Sequence, residues 1–156
     1  MKAEFINPFL FAASNVLSMY VGQPPSVGKI VAQPSIFTIH PCNAVIGVTG
    51  QAHGHVICGM PLEVAREIAS AMLGQPVKEF DQLAASAIAE LANMISGNAM
   101  TLLAEAGLIC DVTPPSIVQG TNIHMSMLAI PALIIPLCIP QGEISLTVAL
   151  QVCSLV

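Results

Sequence analysis

The sequence predicts a single α+β domain spanning residues 1–156. Two local patterns carry this prediction. Residues 82–106 are dense in helix-forming side chains, and apolar residues alternate without a break from Glu143 to Val152. The whole chain reads as helix, strands, two helices, strands, and its length suits one sizeable core. Because each half reads as a helix followed by strands, the order also suggests an internal duplication.

The first half is expected to begin with a helix from Asn7 to Val21. Asn7 is a suitable N-cap because Pro8 would then occupy the first helical position, and Gly22 ends the helix. Short extended segments are predicted at residues 27–32, 35–40, 43–49 and 55–60. The last two segments are expected to form a hairpin through residues 50–54, which include two glycines.

Two helices are predicted at the centre of the chain. Pro61 and Glu63 begin a helix that runs to Leu73 and is ended by Gly74. Asp81 is the expected N-cap of the long second helix, which reaches about residue 106 before a glycine.

Three further strands complete the second half, at residues 116–119, within 125–139 and at 143–152. Prolines at positions 131, 136 and 140 interrupt the middle run. Because proline cannot donate to a strand ladder, this run is expected at an edge of the sheet or as a bulged strand.

Composition excludes several classes of function. Only four basic residues and a net charge of −5 argue against nucleic-acid binding. The mean hydropathy of +0.79 is high, yet no uninterrupted apolar run approaches the ~20 residues that a membrane span needs. We therefore expect no membrane association and a homodimer that covers the surplus apolar surface.

Five cysteines without C-x-x-C spacing read as reduced thiols of a cytoplasmic protein.

A polar stripe is predicted along the long helix. Ser86, Glu90, Asn93 and Gly97 recur at spacings of 4, 3 and 4, so they share one helical face. The opposite face is aliphatic, with Ala84, Ile88, Leu91, Ile95 and Leu102. The helix would therefore be anchored by its apolar side and would hold out a carboxylate and a carboxamide together. The alternative interpretation is that the stripe is the ordinary solvent-exposed face of an amphipathic helix and has no functional role.

Other candidate constellations have simpler interpretations. Glu4 and Asn7 repeat the Glu-x-x-Asn spacing, but Asn7 is better explained as a helix cap. His53 and His55 could offer two imidazoles to a metal ion, yet no Cys, Asp or Glu nearby completes a ligand set. We therefore expect this chain to bind no metal and no cofactor.

The residues of the stripe resemble a known motif. The CheC and CheX chemotaxis phosphatases carry Ser/Asp-x-x-x-Glu-x-x-Asn on a long helix, which Ser86, Glu90 and Asn93 match. Residues 6–9 (Ile-Asn-Pro-Phe) and residues 111–120 also look like CheX, in the same order. CheC carries two such motifs, whereas this sequence has one credible copy, so it is more similar to CheX.

The resemblance implies a fold, an activity and a site. The fold would consist of duplicated α/β units that share one mostly antiparallel sheet, with the long motif helix packed on it. The activity would be hydrolysis of the phosphoaspartate of a CheY-type receiver, which itself holds Mg²⁺. Asn93 would align the attacking water and Glu90 would pair with a receiver lysine, while Ser86 has no assigned step.

Two questions stay open at this level. A non-catalytic module that docks a receiver or a flagellar switch component is the alternative to a phosphatase. CheX-like proteins form dimers with a sheet continued across the interface, and the strand at residues 143–152 is one candidate edge for such pairing. The proline-containing segment 131–140 is the other.

Overall fold

The protein is an α+β domain in which three helices pack on one face of an antiparallel sheet. The computed structural model describes residues 3–38, 40–127 and 130–153. The helices are α1 (Ala3–Val21), α2 (Leu62–Leu73) and α3 (Gln82–Glu105). The strands are β1 (Ser26–Val27), β2 (Val31–Gln33), β3 (Ile36–Thr38), β4 (Cys42–Gly50), β5 (Ala52–Met60), β6 (Cys110–Val112), β7 (Ser116–Gln119), β8 (Met125–Met127), β9 (Ala132–Ile139) and β10 (Gly142–Val152).

The main sheet has eight strands in the order β1-β9-β10-β5-β4-β6, with β2 also beside β9 and β7 also beside β4. All recorded strand pairs are antiparallel. The hairpins β4–β5 and β9–β10 meet along β5 and β10 at its centre, where Ile57 lies opposite Thr147. The prediction of one mostly antiparallel sheet with a long helix packed on it is therefore confirmed.

The strand pairing repeats the internal duplication that the element order suggested. The strands β1 and β2 of the first half pair with β9 of the second half. The strands β6 and β7 of the second half pair with β4 of the first half. Apart from the hairpins β4–β5 and β9–β10, the remaining pairs join equivalent strands of the two halves, β5 with β10 and β3 with β8. This reciprocal exchange is the pattern expected of two related α/β units that share one sheet.

Alternate residues of the central strands face two different layers. Ile46, Val56 and Leu146 join the core beneath the helices. Ile57 and Ala149 instead pack with Ile36 under the ribbon formed by β3 and β8. Both faces at the centre of the sheet are therefore covered.

Strand β10 lies in the interior of the sheet, which corrects one prediction. It pairs with β9 on one side and β5 on the other, so it is not an edge available to a second subunit. The proline-containing segment is not an edge either, because β9 lies between β10 and the short strands β1 and β2. The register of β9 with β10 is constant from residue 133 to residue 139, so β9 is not bulged.

Pro136 explains how a proline fits inside this sheet. Its carbonyl accepts a hydrogen bond from Gly28 N at 2.8 Å, on the side away from β10. In an antiparallel strand the N–H and C=O of one residue point to the same side. The missing N–H of Pro136 therefore faces the break between β1 and β2, where no regular ladder is needed.

The two central helices have the predicted ends. Asp81 caps α3, because its carboxylate accepts a hydrogen bond from Ala84 N at 2.9 Å. Gly74 caps α2 in the left-handed region at φ 69°. Helix α3 packs against α1 and α2 and lies over β4 and β6. These contacts determine which face of α3 remains accessible to solvent.

Helix α1 starts earlier than predicted. It includes Ala3, so Asn7 and Pro8 lie inside the helix and the N-cap assignment of Asn7 is wrong. The extra turn buries Ile6 at 6% exposure, next to the fully buried Phe9. This burial offsets the hydrogen bond that Pro8 cannot donate.

Smaller differences concern the strands. The β4–β5 connection is reduced to Gln51, so His53 belongs to β5 and not to the turn. The segment 27–32 is divided between β1 and β2, and β6 was not predicted. Ile39, within the predicted segment 35–40, and residues 128–129, within the predicted run 125–139, lie outside the described residues.

Across the part of the chain that the structure covers, no helix combines the length and apolarity needed to cross a membrane.

Candidate functional site

The polar stripe of α3 is exposed as predicted. Ser86, Glu90 and Gly97 are exposed, and Asn93 is half-buried between them. The opposite face is anchored in the core, where Ala84, Ile88, Leu91 and Ile95 are at most 1% exposed, while Leu102 is half-buried. The helix therefore presents a carboxylate and a carboxamide on its outer face.

Glu90 and Asn93 lie three residues apart on one continuous helix, so their Cβ atoms are about 5–6 Å apart. Within the described ranges, neither side chain has a recorded hydrogen bond or ion pair. A partner can therefore engage both groups without first breaking contacts inside this chain.

The base of the site is closely packed. Ser96 is fully buried one turn after Asn93, and Ala92 and Ala99 beside it are at most 1% exposed. Small buried side chains allow α3 to lie close to its neighbours, which restricts movement of the helix that carries the motif.

One contact next to the motif was not predicted. The hydroxyl of Tyr20, near the end of α1, donates to the Sδ atom of Met94 at 3.6 Å. Met94 follows Asn93 directly and lies on the flank of α3 next to Glu90. The two partners are 74 positions apart in the chain, so no local pattern could have indicated the contact.

Gly97 lies one turn after Asn93 within α3. It is exposed, and it is not among the glycines with positive φ. Apart from its two chain neighbours and the adjacent backbone of α3, a Cβ atom placed on it would meet no heavy atom of the described residues within 4 Å. The outer surface beside Asn93 is therefore flat and open.

The second Glu-x-x-Asn pattern also lies on a helix. Glu4 and Asn7 are exposed on α1, which removes the reason for treating Asn7 as a cap. The position one turn after Asn7 differs from that in α3, because it carries Phe11, whose side chain is 63% exposed. A protruding phenyl ring thus stands where α3 has a glycine.

The histidines and cysteines do not add to this site. His53 lies near the start of β5, and its Nδ1 atom is 3.5 Å from Cys153 Sγ. No group of three or more His, Cys, Asp or Glu side chains suited to a metal is found among residues 3–38, 40–127 and 130–153. All five cysteines are free thiols. Burial raises the pKa of Cys42 to about 11 and that of Cys58 to about 12, so both stay protonated.

A buried polar cluster lies at the start of β4. Asn43 is fully buried, donates from Nδ2 to the carbonyl of His40 at 2.7 Å and accepts from the Thr38 hydroxyl at 3.2 Å. Burial lowers the pKa of His40, which the charge of Glu143 partly opposes. These groups satisfy one another, so the cluster is best understood as structural.

The site is a surface and not a pocket. A cleft of about 490 Å³ lies elsewhere, between α2 and the β9–β10 turn, and is lined by Glu63, Arg66 and Gln141 among others. Glu90 and Asn93 project from the outer face of a helix, which cannot enclose a small molecule. Such a convex polar surface is suited to enter a concave site on another macromolecule.

Comparisons with known proteins agree on one family. A profile described as "Chemotaxis phosphatase CheX" matches residues 42–138. The curated CheY-P phosphatase CheX of Thermotoga maritima is 32% identical over 126 residues, which cover 80% of this chain and 81% of that protein.

Solved structures give the same result. The crystal structure of CheX from Desulfovibrio desulfuricans matches with a TM-score of 0.85 and 28% identity, covering 96% of this chain and 99% of that one. A chain in the CheX-CheY-BeF3-Mg²⁺ complex from Borrelia burgdorferi matches with a TM-score of 0.82 and 30% identity, covering 94% of this chain and 97% of that one.

Proposed function

The chain belongs to the CheX family of chemotaxis phosphatases, and we propose that it hydrolyses the phosphoaspartate of a CheY-type receiver domain. The observation that carries this proposal is the pair formed by the exposed Glu90 and the half-buried Asn93 on the outer face of α3. Both polar groups are accessible on a helix whose opposite face is held in the core.

The proposed mechanism assigns the attacking water to Asn93. A carboxamide is a poor acid, base and nucleophile, but it can donate one hydrogen bond and accept another, which is enough to orient a water. The water attacks the phosphorus, the bond between phosphorus and the aspartate oxygen breaks, and phosphate and a free carboxylate are released. A loose transition state of this kind depends mainly on positioning and on charges already present.

Glu90 is assigned to docking. Its carboxylate would pair with a lysine of the receiver, which fixes the direction in which Asn93 enters the receiver's site. The receiver would also supply the Mg²⁺ that neutralises the phosphoryl oxygens. Enzyme and substrate together would complete the catalytic site.

Two further assignments accompany this proposal. A partner in chemotaxis signalling would support a cytoplasmic location, which is part of the proposal. The apolar composition, 54% of the residues, is explained if the protein forms a homodimer with one motif per subunit.

A non-catalytic receiver adaptor is the alternative. It would require a docking surface, for which Glu90 would be sufficient, but it would have no use for a carboxamide held three residues away on the same outer face. The presence of both groups favours the enzyme.

The test is a measurement of phosphate release. The purified protein is added to receivers of its host phosphorylated with a small phosphodonor, and the rate of phosphate release is compared with that of each receiver alone. We expect acceleration for at least one receiver. Binding without acceleration would support the adaptor and contradict the phosphatase.

A further inference from the structure

Gly97 occupies a position where glycine is unfavourable for folding. It lies in the interior of the 24-residue helix α3, eight residues before its end. Glycine there loses more conformational entropy than alanine does and gives the helix no side chain to pack. Such a residue needs a structural or functional reason.

The fold provides no such reason. Gly97 does not have the positive φ that would require glycine. Apart from its two chain neighbours and the adjacent backbone of α3, no described heavy atom lies within 4 Å of the Cβ that another residue would place there, so packing against other parts of the chain does not exclude a side chain. Its carbonyl is satisfied by the Thr101 hydroxyl at 3.3 Å. The space above Gly97 is therefore open to a group from outside the chain.

The neighbouring residues indicate what approaches it. Asn93 and Glu90 lie one and two turns before Gly97 on the same face, about 6 Å and 10 Å along the helix axis. A protein whose site receives the Asn93 carboxamide must also pass close over Gly97. In α1, where the same Glu-x-x-Asn spacing recurs, Phe11 would block this approach.

We propose that Gly97 is a contact position for the receiver, and that its missing side chain lets the receiver backbone lie directly on α3, so that Asn93 reaches the phosphoryl group. This proposal rests on the receiver being the partner. Gly97 itself performs no chemical step. It sets the depth to which Asn93 enters the receiver's site, and an added methyl group would displace the facing backbone by roughly 1 Å.

The experiment compares stability, binding and turnover for Gly97→Ala and Gly97→Leu. We expect Gly97→Ala to raise Tm by about 2–4 °C, because alanine favours the helix. We expect kcat/KM for the phosphorylated receiver to fall by about 10-fold in Gly97→Ala and by at least about 100-fold in Gly97→Leu. A gain in stability together with a loss of activity is not expected of a structural glycine.

Binding is measured separately, with the receiver activated by beryllofluoride and Mg²⁺. Gly97→Leu should weaken this binding at least about 10-fold, whereas Asn93→Ala should bind nearly as the wild type does while losing turnover. Ala71→Leu is the matched control, since it adds the same side chain to the exposed face of α2. It should leave Tm, binding and turnover near their wild-type values.

The possible outcomes separate this proposal from the proposed activity. Wild-type kcat/KM and binding in both folded Gly97 variants would overturn the contact role of Gly97 and leave the phosphatase intact. A fall in Tm in Gly97→Ala would also overturn it, because the glycine would then serve the fold. If the wild type binds the receiver without turnover, the phosphatase fails, and weaker binding by Gly97→Leu still supports the contact. If the wild type binds no receiver, both fail.

Discussion

The hydroxyl of Tyr20 lies 3.6 Å from the Sδ atom of Met94, which joins the end of α1 to the residue that follows Asn93. A hydrogen bond to a thioether is weak, and both half-buried side chains also pack against the core beneath the helices. The contact restrains α3 at the level of the motif. We therefore expect Tyr20 to act as a positioning residue that does not reach the reacting atoms itself.

Tyr20→Ala should lower kcat by about 10-fold with a smaller change in KM, because Asn93 would then be oriented less well. Tyr20→Phe keeps the ring and should restore at least half of the wild-type kcat. Steady-state phosphate release measured with increasing receiver checks both variants. Equal kcat in Tyr20→Ala and the wild type would show that the contact has no bearing on the site.

Asn93→Ala should reduce stimulated dephosphorylation by about 10²-fold, because the attacking water would no longer be oriented. Its stability should change by no more than about 0.5 kcal/mol, since the side chain lies on the outer side of α3. Asn98→Ala is the matched control, because Asn98 is an exposed asparagine of the same helix outside the stripe. Full activity in a folded Asn93→Ala protein would rule out the proposed role.

Glu90→Gln keeps the size of the side chain but removes its charge. Without the carboxylate the pairing with a receiver lysine is lost, so activity should fall about 10-fold at low receiver concentration and less at saturation. Glu105→Gln, at the exposed end of the same helix, controls for the change in net charge. Kinetics identical to those of the wild type at both concentrations would contradict the docking role of Glu90.

Features of the structure that depend on neighbouring residues in the chain could be predicted from the sequence. The Asp81 cap depends on residues within one turn, and the exposure of Glu90 and Asn93 follows from the period of the helix. These features need no knowledge of which strands are neighbours. For this reason the candidate site could be predicted without knowledge of the sheet.

Features set by distant parts of the chain could not be predicted in this way. The alternation in β10 indicated one covered face, yet Ser145 and Thr147 are also buried, at 8% and 3% exposure. The ribbon of β3 and β8 covers that side, where Ala149 packs with Ile36. The helix start predicted from Pro8 was wrong for a similar reason. Burial of Ile6 outweighed the preference of proline for the first position of a helix.

The dimer remains a prediction, and the structure limits where it can form. In the described chain the strands β1 and β2 pair only with β9, and β6 and β7 only with β4, so these are the two edges of the eight-stranded sheet. The first edge is the more apolar, since Val27, Ile30 and Val31 are 50%, 39% and 43% exposed. An exposed apolar edge favours pairing with another strand.

Sedimentation equilibrium at micromolar concentration should therefore give twice the 16.2 kDa mass of the chain. Val31→Lys should shift the equilibrium toward the monomer by at least about 10-fold, because a charged residue on an edge strand opposes pairing between sheets. Phe11→Lys places the same charge at an exposed apolar residue of α1 and should leave the mass unchanged. A monomer mass for the wild type would contradict the dimer, and the high proportion of apolar residues would then require another explanation. A dimer that Val31→Lys does not weaken would contradict the edge formed by β1 and β2 as the interface.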